Sequence, residues 1–416
     1  MLIHSASQLL TIAGGPQRGQ ELGNLGIIPG GAVLIQDGEI AAVGSSSELC
    51  SIYPDEPQLD AGGQVVLPGF VDPHTHAIWA GDRAAEFEMR LQGKSYLEIL
   101  KEGGGILSTV RATRMASLEK LISETRPRLW SMFKHGTTTA EIKTGYGLCT
   151  VTELCMLQAL LALDKEGPLE IVPTFLGAHA IPPEYKDRSD EYTELLCNTM
   201  IPILHEWWSQ RALGYELPFV DVFCETGAFS LEQSRAILGK ARELGFPLKI
   251  HADEFDNLGG TSLAVELGAA SADHLVATSR EDIDSIAQSD TVAVALPCTP
   301  FGLAEEQYTP AGEILAAGGT LAIATDLNPG TAWCESMQFV LALACRYLRL
   351  TPAQAISAGT INSAAAIGRA DRIGSLEVGK QADLLILSIV DYRHLGYRFG
   401  TNLVQTVIKK GQVYPN

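Results

Sequence analysis

Histidines and carboxylates recur in this sequence directly after short apolar runs. The clearest case is His74-Thr75-His76, which ends the run that begins at Val65. Residues i and i+2 of a strand point to the same face, so these two imidazoles could bind one metal ion. Later runs end in the same style, with His179, His251-Ala252-Asp253-Glu254, Asp273-His274 and Asp326-Leu327-Asn328. Imidazole and carboxylate ligands together suit a borderline or hard divalent metal.

Eight such runs alternate with helical patterns over residues 66–372, and five of the nine histidines lie at their ends. The runs are Val65–His76, Thr137–Tyr146, Glu170–His179, Phe219–Glu225, Pro247–Asp253, Ser271–Leu275, Thr291–Pro297 and Thr320–Asn328. Eight strand–helix units predict an α/β fold of the (β/α)8 TIM-like barrel type, in which strand ends converge on one mouth. The rival is a doubly wound open sheet, but no GxGxxG follows the first run.

Both ends of the chain predict a different structure, rich in β-hairpins. Two β-rich runs surround Asp37-Gly38 near the start, and two more surround Lys410-Gly411 near the end. Short turns of this composition between β-rich runs are typical of hairpins. We therefore expect one small β-sandwich domain built from residues 1–65 and 373–416, beside a barrel of residues 66–372.

Composition excludes several classes of protein. The 416 residues include 30 Lys and Arg against 49 Asp and Glu, a formal net charge of −19. Nucleic acid and anionic membrane surfaces are therefore not expected as partners, because both attract basic proteins. No stretch approaches the roughly 18 apolar residues that a membrane span needs. The eight cysteines form no CxxC pair, which predicts reduced thiols in a cytoplasmic protein.

The segment Pro68–His76, with His251 and Asp326, resembles the amidohydrolase superfamily. Further segments resemble its imidazolonepropionase family over nearly the whole chain, namely Ala80–Arg83, Gly103–Arg111, Glu141–Gly147, Thr174–His179, Asp221–Glu225, Lys249–Phe255 and Asp326–Thr331. The resemblance implies a metal-bearing barrel with a β-sandwich from both termini. It also implies an enzyme that uses metal-activated water to hydrolyse the cyclic amide of a small anionic imidazolone, 4-imidazolone-5-propanoate, to N-formimino-L-glutamate in histidine degradation.

The resemblance also implies roles for individual residues. One divalent ion, Zn or Fe, would be bound by His74, His76, His251 and Asp326. Glu254 and His274 would transfer protons, and Glu254 would also contact substrate. The remaining substrate contacts would come from Arg83, Tyr146, His179, Asn328, Gly330 and Thr331. Arg83 suits the propanoate tail, because a guanidinium offers a bidentate fork to a carboxylate.

Several of these roles have alternatives. Arg83 could instead form a surface salt bridge with Asp82 or Glu86, and His274 could only hold Asp326 or Glu254. Glu225 could bridge a second metal, although a supporting hydrogen-bond role is the simpler interpretation.

Two further cations and the reaction itself also stay open. Lys143 and Arg111 could add positive charge near the substrate or pair with surface carboxylates. The tri-glycine Gly103–Gly105 could form a turn or a loop over the mouth. A cyclic amidine deaminase, a catalytically inactive barrel and a homodimer also stay open.

Overall fold

The computed structural model describes residues 1–94 and 104–416. The strands in these ranges are β1 (Leu2–Leu10), β2 (Ile27–Gln36), β3 (Glu39–Ser45), β4 (Gln58–Asp60), β5 (Val65–Pro68), β6 (Phe70–Asp72), β7 (Thr137–Lys143), β8 (Glu170–Ala178), β9 (Phe219–Cys224), β10 (Lys249–Ala252), β11 (Ser271–His274), β12 (Val292–Ala295), β13 (Leu321–Ile323), β14 (Leu384–Leu387), β15 (Val404–Lys409) and β16 (Gln412–Pro415).

The α-helices in the same ranges are Ser46–Ile52, Ala84–Leu91, Ile106–Met115, Leu118–Lys134, Thr150–Glu166, Ser189–Leu195, Ile201–Arg211, Leu231–Glu243, Gly260–Leu267, Arg280–Ala287, Cys298–Leu303, Ala311–Ala316, Met337–Tyr347, Pro352–Ala358, Ile361–Ala366 and His394–Tyr397. Short 3-10 helices cover Gly19–Glu21 and Pro183–Tyr185, and a π-helical turn covers Leu196–Met200. None of the described helices is long and apolar enough to cross a membrane.

Strands β6 to β13 form one parallel sheet in strict sequence order. Each of the eight predicted runs contains one of these strands, so the predicted (β/α)8 barrel is confirmed. The helix Thr150–Glu166 shows how the helices cover the barrel, since its predicted apolar face buries Leu157, Leu160 and Leu161. The carboxyl ends of the strands consequently meet at one mouth.

The first and last barrel strands are joined near the mouth. Thr75 and Leu327 form a parallel bridge, and the amide of His76 donates to the carbonyl of Leu327 at 2.8 Å. Below this bridge the two strands are joined through a side chain and not through backbone hydrogen bonds. The Asp72 carboxylate accepts from the Thr325 amide (3.1 Å) and from the Thr325 hydroxyl (2.5 Å). We call this contact between the first and last strands the barrel seam.

The strands near the two termini form a second, mostly antiparallel sheet in the order β16-β15-β14-β5-β1-β2-β3, with β4 also paired to β1. Both predicted hairpins are present, β2–β3 and β15–β16. Their turns place Asp37-Gly38 and Lys410-Gly411 at positive φ, as the tight hairpin turn requires. The expected association of the two ends in one β unit is therefore confirmed.

The run Val65–His76 divides between the two sheets. Its first part, β5, pairs with β1 and β14 of the terminal sheet, whereas β6 begins the barrel. The expected start of the barrel at residue 66 falls inside β5, and we propose Gly69 as the division instead. A Cβ at Gly69 would lie 2.3 Å from the Thr138 hydroxyl oxygen, so only glycine fits the crossing.

Candidate active site

The four predicted metal ligands lie together at the barrel mouth. His74 Nε2 and His76 Nε2 are each 3.5 Å from Asp326 Oδ1, and His251 Nε2 is 3.3 Å from His76 Nε2. All four side chains are buried. The barrel seam keeps these side chains close together. The Asp326 amide donates to the His74 carbonyl at 3.1 Å, which holds the predicted ligands of the first and last barrel strands side by side.

The donor atoms fit a divalent metal. His74 Nδ1 is 2.6 Å from Asp273 Oδ2, and its Nε2 is buried without a hydrogen-bond partner among the described residues. A buried polar atom of this kind is costly unless something binds it. Burial lowers the pKa of His74 and His76 well below its ordinary value, which favours the neutral form that binds metals. Three imidazoles and one carboxylate offer donor atoms of the kind that such an ion binds.

Glu254 and His274 lie beside this cluster. Glu254 Oε2 is 3.6 Å from His274 Nε2, and the rings of His274 and His251 are 5.3 Å apart. Burial, with Asp326 nearby, raises the pKa of Glu254 well above its ordinary value. His274 and Asp326 both adopt positive φ (84° and 53°), a backbone strain that is commonly found at functional sites. A carboxyl group with a raised pKa beside an imidazole suits proton transfer.

A cavity of about 800 Å³ opens in front of the cluster. Of the predicted site residues, all except His74 line it, namely His76, Arg83, Tyr146, His179, His251, Glu254, His274, Asp326, Asn328, Gly330 and Thr331. His74 lies beneath the cavity floor with a fully buried side chain. The arrangement therefore places the predicted substrate residues and the metal ligands around one space.

Arg83 forms the predicted salt bridge with Glu86, and its contact with the substrate tail stays a prediction. It forms a salt bridge with Glu86 (Nη2 to Oε2, 2.9 Å), and it also lines the cavity. Arg90, which no sequence motif singled out, lines the same wall and donates from Nη2 to the Gly330 carbonyl at 2.9 Å. Its spacing of seven residues from Arg83 was a usable signal, because two helical turns return to the same face.

The loop after β13 is shaped by Asn328. The Asn328 Oδ1 accepts from the amides of Gly330 and Thr331, both at 2.8 Å, and Nδ2 donates to the Asp326 carbonyl at 2.7 Å. The Asn328 amide group thus fixes the backbone that connects Asp326 to the cavity wall. Gly330 packs closely against Arg83, since a Cβ there would lie 2.4 Å from Arg83 Nη1.

His179 and Tyr146 lie beside His76, one of the predicted metal ligands. The His179 ring stacks on His76 with centroids 4.8 Å apart, and His179 Nδ1 lies 3.0 Å from the Gly145 carbonyl oxygen. Burial lowers the pKa of His179 to about 3, so the ring is neutral. Donation from Nδ1 to Gly145 leaves the other ring nitrogen as an acceptor. Tyr146 is buried, and burial raises the pKa of its hydroxyl, which therefore stays protonated.

Lys143 pairs with carboxylates as one alternative expected, but these are buried and not at the surface. Its ammonium group is fully buried below the histidines, where it pairs with Glu141 and Asp221, and so it neither lines the cavity nor reaches the surface. Arg111 is exposed on the helix Ile106–Met115 and does not line the cavity.

Glu225 and the tri-glycine segment were the remaining open questions about the mouth. Glu225 lines the cavity, but its carboxylate accepts from the backbone amides of Thr226 (2.8 Å) and Phe255 (2.9 Å), which is the supporting role. Gly103 lies outside the described residues. Gly105 has φ of 77°, begins the helix Ile106–Met115 and donates to Glu86 at 3.1 Å.

Comparison with known proteins identifies the family. Residues 65–414 match the model of the amidohydrolase family, and residues 31–55 match that of the bacterial imidazolonepropionase-like composite domain. The chain is 55% identical over 412 residues to an imidazolonepropionase of Herpetosiphon aurantiacus, and the alignment covers 99% of this chain and 96% of that relative. It is 48% identical over 417 residues to an imidazolonepropionase of Chloroflexus aggregans, with 99% and 98% covered.

A solved structure supports the fold. An adenosine deaminase from Xanthomonas campestris, with bound zinc, aligns with a TM-score of 0.68 at 20% identity, covering 99% of this chain and 92% of that one. At this identity the likeness shows the shared fold alone. The family matches and the full-length relatives together show that the chain is a hydrolase of the amidohydrolase family and belongs to its imidazolonepropionase members.

Proposed function

We propose that this protein hydrolyses the ring amide C–N bond of 4-imidazolone-5-propanoate and releases N-formimino-L-glutamate, a step of histidine degradation. The observation that carries the proposal is one cavity whose wall combines a His/Asp cluster of metal-binding type with two guanidinium groups. The first feature suits amide hydrolysis, and the second suits a substrate with a carboxylate tail. The names of the relatives agree with this substrate.

His74, His76, His251 and Asp326 would hold the metal ion. A divalent ion there supplies Lewis acidity, which lowers the pKa of water and polarises a carbonyl group. Glu254, as a carboxylate, accepts a proton from the attacking water and returns it to the ring nitrogen as the C–N bond breaks. The water oxygen and the carbonyl carbon form a new carboxyl group, and one water proton passes through Glu254 to the leaving nitrogen. The second proton leaves the new carboxyl group and is taken up by the basic formimino group, so atoms and protons balance. His274, 3.6 Å from Glu254, orients that carboxyl group and the substrate carbonyl.

The two guanidinium groups of the cavity wall support an anionic substrate. Arg83 is paired with Glu86, whereas Arg90 has no carboxylate within salt-bridge distance among the described residues. Arg83, Arg90 and Glu86 together give this part of the wall one net positive charge for the propanoate, whereas Glu225, Glu254, Glu305 and Asp326 line other parts of the cavity. Tyr146, His179 and the Asn328–Thr331 loop then supply hydrogen-bonding groups for the ring and the product.

A single ion is the proposed cofactor. Strand β9 ends in Cys224-Glu225 and offers no lysine that could bridge two metals. The Glu225 carboxylate is already occupied by backbone amides of Thr226, Phe255 and Asp256. Zinc and iron both accept this donor set, so both stay candidates. Cytoplasmic localisation and a homodimer stay predictions.

A coupled assay tests the proposal. Urocanate and a urocanase generate the unstable substrate in place, and its ultraviolet absorbance is followed after this protein is added. We expect rapid loss of absorbance and formation of N-formimino-L-glutamate, and the acceleration should vanish after chelation and return when metal is restored. Metal-replete protein that leaves the decay unchanged would contradict the proposal. Ammonia release from a purine or pyrimidine would instead support the deaminase alternative, and a folded protein that binds no metal would support the inactive barrel.

A further inference from the structure

A buried lysine contacts both carboxylates that hold the histidines of the metal site. Lys143 ends β7, and its side chain is completely buried. Its Nζ lies 2.7 Å from Glu141 Oε1, 2.8 Å from Asp221 Oδ2 and 3.8 Å from Asp273 Oδ2. Lys143 thus joins acidic side chains of three strands, β7, β9 and β11.

The same carboxylate oxygens face the imidazoles. Asp221 Oδ2 is 3.0 Å from His251 Nδ1, and Asp273 Oδ2 is 2.6 Å from His74 Nδ1. The hydrogen bond between Asp273 and His74 selects the tautomer that carries its proton on Nδ1 and leaves Nε2 free toward the site. Asp221 lies close enough to His251 Nδ1 to favour the same tautomer there. The ammonium group is therefore one carboxylate away from two metal-site histidines on two different strands.

We propose that Lys143 is a positioning residue, whose ammonium group fixes Asp221 and Asp273 in the orientation that presents His251 and His74 to the metal. The inference rests on the proposed function, because it concerns the metal site of that reaction. Lys143 itself touches neither the cavity nor the metal-facing nitrogens.

Charge balance explains why a cation is needed there. Glu141, Asp221 and Asp273 are fully buried, and without a counter-charge they would repel one another in a poorly solvated space. A second buried lysine, Lys249, lies 3.4 Å from Asp273 Oδ2 and donates to the Pro73 carbonyl at 3.0 Å. Of the described carboxylates, Lys249 forms an ion pair with Asp273 only, whereas Lys143 also pairs with Asp221. Loss of Lys143 therefore leaves the acceptor of His251 without a cationic partner.

The test is metal affinity, measured without substrate. The variants are K143M and, as a matched control, K409M, which also removes a buried ammonium paired with a carboxylate (Asp383, 2.7 Å) but in the terminal sheet. Bound metal is removed from each protein, and zinc affinity is then measured by competition with a chelator. Cobalt absorption spectra report the ligand geometry. We expect K143M to weaken zinc binding by about 10- to 100-fold and to change the cobalt spectrum. K409M should stay within about twofold of the wild type.

A second variant keeps the proposal testable if K143M misfolds. E141Q/K143M removes one buried charge of each sign and keeps the net charge of the cluster, so it provides the test if K143M does not fold. Wild-type zinc affinity in K143M or the double variant would overturn the proposal, as would an equal loss in K409M. Because no substrate is used, the result stands apart from the coupled assay. Failure of that assay with weakened zinc binding in K143M would refute the proposed substrate and leave the role of Lys143 intact.

Discussion

Replacement of Gly330 by alanine tests how the cavity recognises the substrate tail. The Cβ of alanine would lie 2.4 Å from Arg83 Nη1, so one of the two groups must move. The end of an arginine side chain moves more easily than a loop held by two amide hydrogen bonds to Asn328. We therefore expect G330A to fold normally and to displace the Arg83 guanidinium.

The size of the effect follows from the bond that is lost. A hydrogen bond to a charged group contributes about 1.5–3 kcal/mol. At about 1.4 kcal/mol per factor of ten, the loss of one such bond to the propanoate raises KM by roughly 10- to 150-fold. The kcat should change much less, because the metal ligands and Glu254 are untouched. Arg90 keeps its own bond, since the Gly330 carbonyl is still present.

Initial rates in the coupled assay give KM and kcat for G330A, and thermal unfolding reports its stability. G239A is the matched control, because no atom lies within 4 Å of the added Cβ at that helical position. An unchanged KM in G330A would refute the contact between Arg83 and the tail. An equal rise in G239A would show that the effect is not local.

Three further outcomes are expected. E254Q should keep its metal but lose turnover by about 100-fold or more, and kcat with elemental analysis checks both; unchanged turnover would exclude proton transfer by Glu254. D326A should lose metal and activity together, and full occupancy in the variant would remove Asp326 from the ligand set. Burial alone would raise the pKa of Glu170, but Lys409 and its neighbours lower it to about 2, so this carboxylate stabilises the fold fully above about pH 4.5 and less as pH falls toward 2. The Tm difference between wild type and E170Q should therefore shrink between pH 5 and pH 3, and a constant difference would contradict this.

Local patterns predicted much of the architecture. Each barrel strand has an apolar run that a polar residue ends, and the hairpin turns carry the residues that tolerate positive φ. The convergence of His74, His251 and Asp326 then followed from topology, because parallel strands in a barrel end at one mouth. No long-range information beyond strand order was needed for these features.

Features that depend on exact register were not predictable. The run Val65–His76 is divided between two sheets, yet no polar residue marks the division, only Gly69. Lys143 looked like a strand-end cation, and its partners Asp221 and Asp273 come from strands whose register is fixed only when the barrel has formed. Hydrophobic periodicity gives the face of a residue, but not which charge lies opposite it across the core.

The barrel seam has a consequence for how the protein matures. Asp72 and Thr325, which close the seam, are 253 residues apart in the sequence. His74 and His76 lie on one side of the seam, and Asp326 lies on the other. A growing chain on the ribosome therefore presents only a partial set of donors until the last barrel strand has emerged. Binding of a metal ion by all four predicted ligands therefore requires that the last barrel strand has been synthesised. A bound ion would link the first and last strands of the barrel and would so stabilise its closed form.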